Sequence, residues 1–98
     1  GVKHDAGKPR VGLMLSDFSR ALTEVARVST FGAQKYTARG WLTVPNGVDR
    51  YTDAMARHMM REFDGETLDP ESGLMHAAHA AWGALARLEL LLRGHKPS

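Results

Sequence analysis

The 98-residue chain contains no cysteine, which excludes a disulfide framework, a thiolate zinc site and a cysteine nucleophile. It also lacks any apolar run of membrane-spanning length, and its N-terminus has no apolar core of a signal peptide, so no membrane partner is expected. Excess charge is missing as well. Thirteen Lys+Arg against eleven Asp+Glu leave +2, too mild for a DNA binder driven by charge. Neither an internal repeat nor a low-complexity tract is present. The opening Gly in place of Met reads as the start of a processed or excised piece. What the chain does have is 43% hydrophobic and 24% charged residues, the balance of a globular fold. A chain this short buries only about two-thirds of its unfolded surface, so association is expected to supplement its core. The expectation is one soluble, cytoplasmic domain over residues 1–98.

Helical periodicity dominates. Residues 1–12 read as an irregular basic arm and 95–98 as a tail. Ser16 stands where a helix N-cap belongs, with Asp17 in the first turn. Leu15, Phe18, Leu22, Val25, Ala26, Ala33 and Tyr36 then fall on one face, and Gly32 weakens or ends that helix. Residues 37–48 form a loop rich in turn residues. A second helix runs from about Asp49 to Phe63, stopped by Gly65. Asp69-Pro70-Glu71 looks like the start of a third helix, which continues towards Arg93. Its Leu74, Ala78, Ala81, Leu85, Leu88 and Leu92 form one stripe, and the far side is nearly as apolar. Such a helix is buried on more than one side. An all-α domain of three main helices, completed by oligomerisation, is predicted.

The chemistry lies on the second and third helices. Tyr51, Met55, Met59 and Phe63 project inwards, and Asp53, Arg57, Arg61 and Asp64 outwards. His58 and Glu62 project among the apolar residues, as does Glu66 if the helix persists. A desolvated carboxylate costs several kcal/mol unless a metal or an ion pair compensates, on the order of a small domain's net stability. His58 and Glu62 are spaced i, i+4 and converge on one point; His76 and His79, i, i+3, lie away from the leucine stripe. Antiparallel packing through these faces gathers all four into a metal site between helices. Nitrogen and oxygen donors suit Mn, Co, Zn or Fe better than Mg. The competing reading makes each His a hydrogen-bonded core residue, Met55, Met59, Met60 and Met75 core filler, and Glu24 part of a solvated face. A second constellation concerns anions: Lys3, Lys8, Arg10, Lys35 and Arg39, interleaved with Tyr36 and Trp41, offer charge for phosphates and rings for a base. An exposed Trp41 calls for a partner, unless it folds back onto the core.

Lys3-His4-Asp5-Ala6-Gly7-Lys8-Pro9-Arg10, Gly32-Ala33-Gln34-Lys35-Tyr36, Arg57-His58, Gly65-Glu66, Asp69-Pro70-Glu71-Ser72-Gly73 and His76-Ala77-Ala78-His79-Ala80 together resemble the dATP/dGTP diphosphohydrolase domain of phages and prophages, from Lys3 to about Leu92. That family is related to the MazG-like all-α nucleoside triphosphate pyrophosphohydrolases, which assemble as dimers or tetramers. The resemblance implies hydrolysis of a (deoxy)nucleoside triphosphate, dGTP or dATP, to monophosphate and pyrophosphate with a divalent metal (Mn, Co, Zn or Mg), in the host cytoplasm if phage-encoded. The wider signature is E-E-x-x-E followed by E-x-x-D. Here the frame is His58-x-x-x-Glu62 and His76-x-x-His79, three histidines where acids are usual. Glu66, Asp69 and Glu71 are the nearby sources of further carboxylates. By the same implication Glu62 or Glu66 acts as ligand or general base. Lys35, Lys8, Arg10 and Arg39 steady phosphates, and Trp41 or Tyr36 stacks on the base. The alternative is a helical oligomer that binds nucleotide or metal without turnover. An HD-type hydrolase fits poorly, because His4-Asp5 precedes every helix. No later helix shows the basic face of a sequence-specific DNA binder.

Overall fold

The computed structural model describes residues 6–94, and its regular structure is entirely helical: α1 (Val11–Asp17), α2 (Ser19–Lys35), a 3₁₀ turn (Gly40–Thr43), α3 (Gly47–Phe63) and α4 (His76–Leu92). The described residues outside these helices are turns and loops, with one isolated antiparallel bridge, Leu68 to Met75. The all-α expectation holds.

The first helix starts earlier than Ser16 and is split. Ser16 caps nothing; its hydroxyl donates back to Leu13 O at 3.1 Å inside α1. The backbone loosens at Phe18 (φ −118°, ψ 25°) and resumes at once, since Phe18 N–H reaches Met14 O and Leu22 N–H reaches Phe18 O. Gly32 does not end α2, which continues to Lys35. Of the face expected to be apolar and buried, only Val25 is buried; Leu15, Phe18 and Tyr36 are exposed, and Val28 joins the core instead. α1 buries none of its residues. The radius of gyration is accordingly 15.6 Å, against about 12.6 Å for a compact chain of this length.

α3 and α4 pack antiparallel, as the order of their contacts shows. Gly47 faces Leu90, Thr52 receives a hydrogen bond from Arg87, and Met55 faces Gly83. At Gly83 a Cβ would stand 3.2 Å from Met55 Cβ and 3.5 Å from Tyr51 O, so the missing side chain sets how closely the two helices approach. His76, Ala78, Gly83, Ala86 and Leu90 are therefore the buried face of α4, and Leu85, Leu88 and Leu92 face outwards. On α3, Tyr51 and Met55 turn inwards as expected. Phe63, at 74% exposure, does not, and Met59, Met60 and Met75 are exposed rather than core filler.

α3 ends as Gly65 requires. Gly65 (φ +102°) donates to Glu62 O and Glu66 N–H reaches back to Arg61 O, the paired bonds of a Schellman cap. This reversal, rather than another helical turn, carries Glu66 to α4. The third main helix begins at His76, not Asp69, because side-chain bonds capture the backbone first. Asp69 Oδ2 accepts Ser72 N–H at 2.9 Å, Ser72 Oγ accepts Leu74 N–H at 3.1 Å, and Asp69 N–H and Leu74 O close a hairpin-like turn.

Candidate metal centre

The C-terminal half of α3, the turn over 66–75 and the first turn of α4 meet at one point. His58 comes from α3, and His76 and His79 occupy the first turn of α4. His58 Nδ1 lies 2.8 Å from His76 Nδ1, and the ring of His58 stacks on that of His79 with centroids 4.5 Å apart and planes 9° apart. His76 is 0% exposed, and its Nε2 sits 2.7 Å from Glu66 Oε1. With Nε2–H given to the carboxylate, this tautomer of His76 presents a lone pair at Nδ1 towards His58. A carboxylate behind an imidazole in this way fixes its tautomer and raises its basicity as a ligand.

Asp69 completes the cluster. One ligand atom each from His58, Asp69 and His76 lie within 4.8 Å of one another. His79 Nε2 is 3.9 Å from Asp69 Oδ2 and 2.7 Å from Ser72 Oγ. Two nitrogens on one cation at about 2.1 Å and a right angle stand about 3.0 Å apart, close to the observed His58–His76 spacing. These residues thus fit a divalent cation with mixed nitrogen and oxygen donors.

The electrostatics agree with that fit. Burial, reinforced by the neighbouring imidazoles, lowers the pKa of His58; burial likewise lowers that of His79 against the opposing pull of Asp69. Both stay neutral near pH 7 and keep their lone pairs. Burial pushes Asp69 upwards, but the hydrogen bonding of Ser72 and the adjacent histidines outweigh it and leave the carboxyl below its ordinary value. The site is therefore charged as a cation requires.

Of the residues expected from sequence, His58, His76 and His79 come together. Glu62 is half-buried one turn beyond His58 and has no hydrogen bond or ion pair to the cluster among the described residues. Glu66 serves His76 and approaches Arg61 at 3.7 Å. Lys35 bonds Glu71 in the same turn that bears Asp69, and this bond chiefly raises its pKa; its Nζ also lies 5.1 Å from the centre of the exposed Tyr36 ring. Lys8 and Arg10 are exposed ahead of α1, and Arg39 is exposed with φ +68° before the 3₁₀ turn. Lys3 and His4-Asp5 lie outside the described residues, as does residue 95. Trp41 is not a free ring: it folds back edge-on to Tyr51 and Trp82, and its carbonyl accepts the Tyr51 hydroxyl at 2.7 Å. Ser72 is the residue that sequence reasoning missed. The Asp69-x-x-Ser72 spacing, with Gly73 at φ +73°, was the available signal for an Asx-type turn.

An imidazole and carboxylate cluster between antiparallel helices, in a cysteine-free all-α domain, defines the class: a helical protein with a candidate metal-ligand group. Residues 1–97 match the family model described as dATP/dGTP diphosphohydrolase, N-terminal, and the chain belongs to that family. It is 39% identical over 85 residues to a protein of Salmonella phage PMBT28 named dATP/dGTP diphosphohydrolase, an alignment covering 87% of this chain and 28% of that protein. The chain thus spans less than a third of that relative's length. No solved structure matches it. No helix among the described residues is long and apolar enough to cross a membrane.

Proposed function

We propose that this chain is the nucleotide-hydrolysing part of a dATP/dGTP diphosphohydrolase, converting a purine deoxynucleoside triphosphate to monophosphate and pyrophosphate at a divalent cation held by His58, Asp69 and His76. The observation that carries this reading is the fully buried His76, with Glu66 on one nitrogen and His58 facing the other. A core histidine needs one partner of each kind; this one is oriented from behind by a carboxylate, as metal ligands are. Mn, Co or Zn suits the donors better than Mg. When bound, the cation supplies Lewis-acid neutralisation of the phosphate charge.

The remaining work falls to the chain. Water forms a bond to an internal phosphorus, the α–β bridging bond breaks, and pyrophosphate leaves with the bridging oxygen. Glu62, one turn beyond His58, takes the proton from the attacking water and passes it to solvent. Glu66 positions His76 and stays out of proton transfer. Lys35 exchanges Glu71 for a phosphate oxygen, and Lys8, Arg10 and Arg39 are further phosphate contacts. The exposed, outward leucines of α4 support a dimer or tetramer that would bury them.

Crossing a panel of Mn, Co, Zn and Mg with dATP, dGTP, dCTP and dTTP, and assaying pyrophosphate, tests this directly. His58→Ala, Asp69→Asn and Glu62→Gln are expected to lose at least about a hundredfold in turnover. Unchanged turnover in these variants refutes the site. Nucleotide binding with no phosphate product under any metal makes the domain a binding module.

A further inference from the structure

A groove of about 470 Å³ runs along α2 beside the candidate centre, between Arg27, Thr30, Phe31 and Gln34 on the helix and Ser72 and Leu74 on the turn. Its volume is that of a small-molecule site. It shares Ser72 with the histidine cluster, and the Phe31 ring stands edge-on to His79 with centroids 6.3 Å apart. Lys35 Nζ lies 6.0 Å from the centre of the same ring. A flat ring therefore stands beside both the histidine cluster and a lysine, within stacking reach of a base whose phosphates extend to the cluster.

The polar lining has a particular chemistry. Gln34 makes no hydrogen bond with the described residues, so its carboxamide offers one donor and one acceptor into the groove. Arg27 is tied to Glu24 only through Nε, at 3.0 Å, and keeps its other N–H groups. Thr30 gives its hydroxyl hydrogen to Ala26 O at 3.0 Å and so faces the groove as an acceptor. A carboxamide pairs two-fold with the N6/N7 edge of adenine, and a guanidinium with the O6/N7 edge of guanine. Pyrimidines carry neither edge.

We infer that this α2 groove is the purine-base subsite of the proposed triphosphate site, with Phe31 as its stacking surface, Gln34 reading adenine and Arg27 reading guanine. The inference rests on the hydrolytic reading for the phosphate end of the ligand, but the base groove is testable apart from it. Trp41, committed to Tyr51 and Trp82, is not the stacking ring.

Deoxynucleosides without phosphates, titrated in EDTA and followed by amide chemical shifts, probe the groove with neither metal nor turnover. Deoxyadenosine and deoxyguanosine are expected to shift Thr30, Phe31, Gln34, Ser72 and Leu74, and to bind at least about tenfold tighter than deoxycytidine or thymidine. Phe31→Leu weakens both purines by about tenfold. Gln34→Leu weakens deoxyadenosine alone by about tenfold, and Arg27→Leu weakens deoxyguanosine alone by a similar factor. Purine shifts centred on Trp41 and Trp82, pyrimidines binding equally well, or Gln34→Leu and Arg27→Leu leaving both purines unaffected overturns the inference. Purine binding in the groove with metal binding unchanged in His58→Ala assigns the failure to the hydrolytic reading alone.

Discussion

Replacing Glu66 by Leu isolates the contact that orients the centre. His76 is fully buried, and the acceptor of its Nε2–H is Glu66 Oε1 at 2.7 Å. Without that oxygen a buried donor is left unpaired, at about 1–3 kcal/mol. Glu66 itself is 43% exposed and its 3.7 Å approach to Arg61 is a surface pair, so little else is lost. Each kcal/mol corresponds to about 4–8 °C in the melting temperature of a domain this small, and a fall of at least about 5 °C is expected. Glu66→Gln keeps an acceptor oxygen, so stability changes less, but the loss of charge lowers metal affinity by about 10–100-fold. Removing both partners in Glu66→Leu/His76→Leu relieves the unpaired donor, and the double variant is more stable than the sum of the single changes predicts. Urea unfolding followed by circular dichroism, with Co titrated in parallel, measures both effects. Strictly additive single changes, or a Glu66→Leu variant within about 0.5 kcal/mol of the parent, refute the claim that this pairing holds His76.

Gly83→Val places branched carbons where even a Cβ meets Met55 at 3.2 Å, so overpacking of about 1–3 kcal/mol is expected in thermal unfolding. Because the same separation sets the His58–His76 distance, metal affinity falls with it; full affinity in a destabilised Gly83→Val breaks that link. The pH dependence follows from the lowered pKa values of His58 and His79: the unfolded chain takes up their protons first, at about 6.5, so stability declines as pH falls below that value. Asp69, also lowered, stabilises above its unfolded value near 3.8 and loses that contribution only in stronger acid. Urea midpoints that are flat between pH 7.5 and 5.5 contradict the histidine assignment. Leu88→Lys on the outward face of α4 is expected to shift the protein to a smaller species in sedimentation while leaving Co affinity intact, and an unchanged species at equal concentration rejects that face as the contact.

The pattern of α3 was legible because local signals agreed: a turn-rich loop before it, a helical face within it and Gly65 after it all point to the same helix, although it starts at Gly47 and not at Asp49. The side of α4 that bears His76 and His79 was legible for the same reason. Its start was not, since Asp69-Pro70 satisfies the composition of a helix N-terminus equally well as that of a turn, and only the Ser72 and Leu74 backbone bonds decide between them. The leucine stripe misled in a more instructive way. Hydrophobicity points Leu85, Leu88 and Leu92 inwards, but α3 comes close enough only where α4 carries Gly83 and Ala86. Close backbone approach is a requirement of size, and it overrides the choice of the most apolar face. A helical frame assigns Asp69 to a cap, so sequence placed it only among the nearby sources of further carboxylates, whereas a tight turn aims its carboxylate at the histidines.

The two faces of α4 explain how one short helix serves two purposes. At 100° per residue, the mean direction of His76, His79, Gly83, Ala86 and Leu90 lies about 170° from that of Ala81, Leu85, Leu88 and Leu92. The first set meets α3 and builds the cation cluster; the second is left to the surface of this chain. A partner seated on the leucines would therefore bury them without crossing the histidines, and would stiffen α4 from behind while its front holds His76 in place. The α2 groove opens on neither face: it is bounded by Phe31, Gln34, Ser72 and Leu74. The leucine face is thus separate from the histidine cluster and from the groove, which meet only at Ser72, and a charge introduced on the leucines acts on the cluster only through the rigidity of α4. The small residues that let α3 approach are what allow this division, because they put the histidines on the closely packed side and leave the bulky side chains on the outward surface.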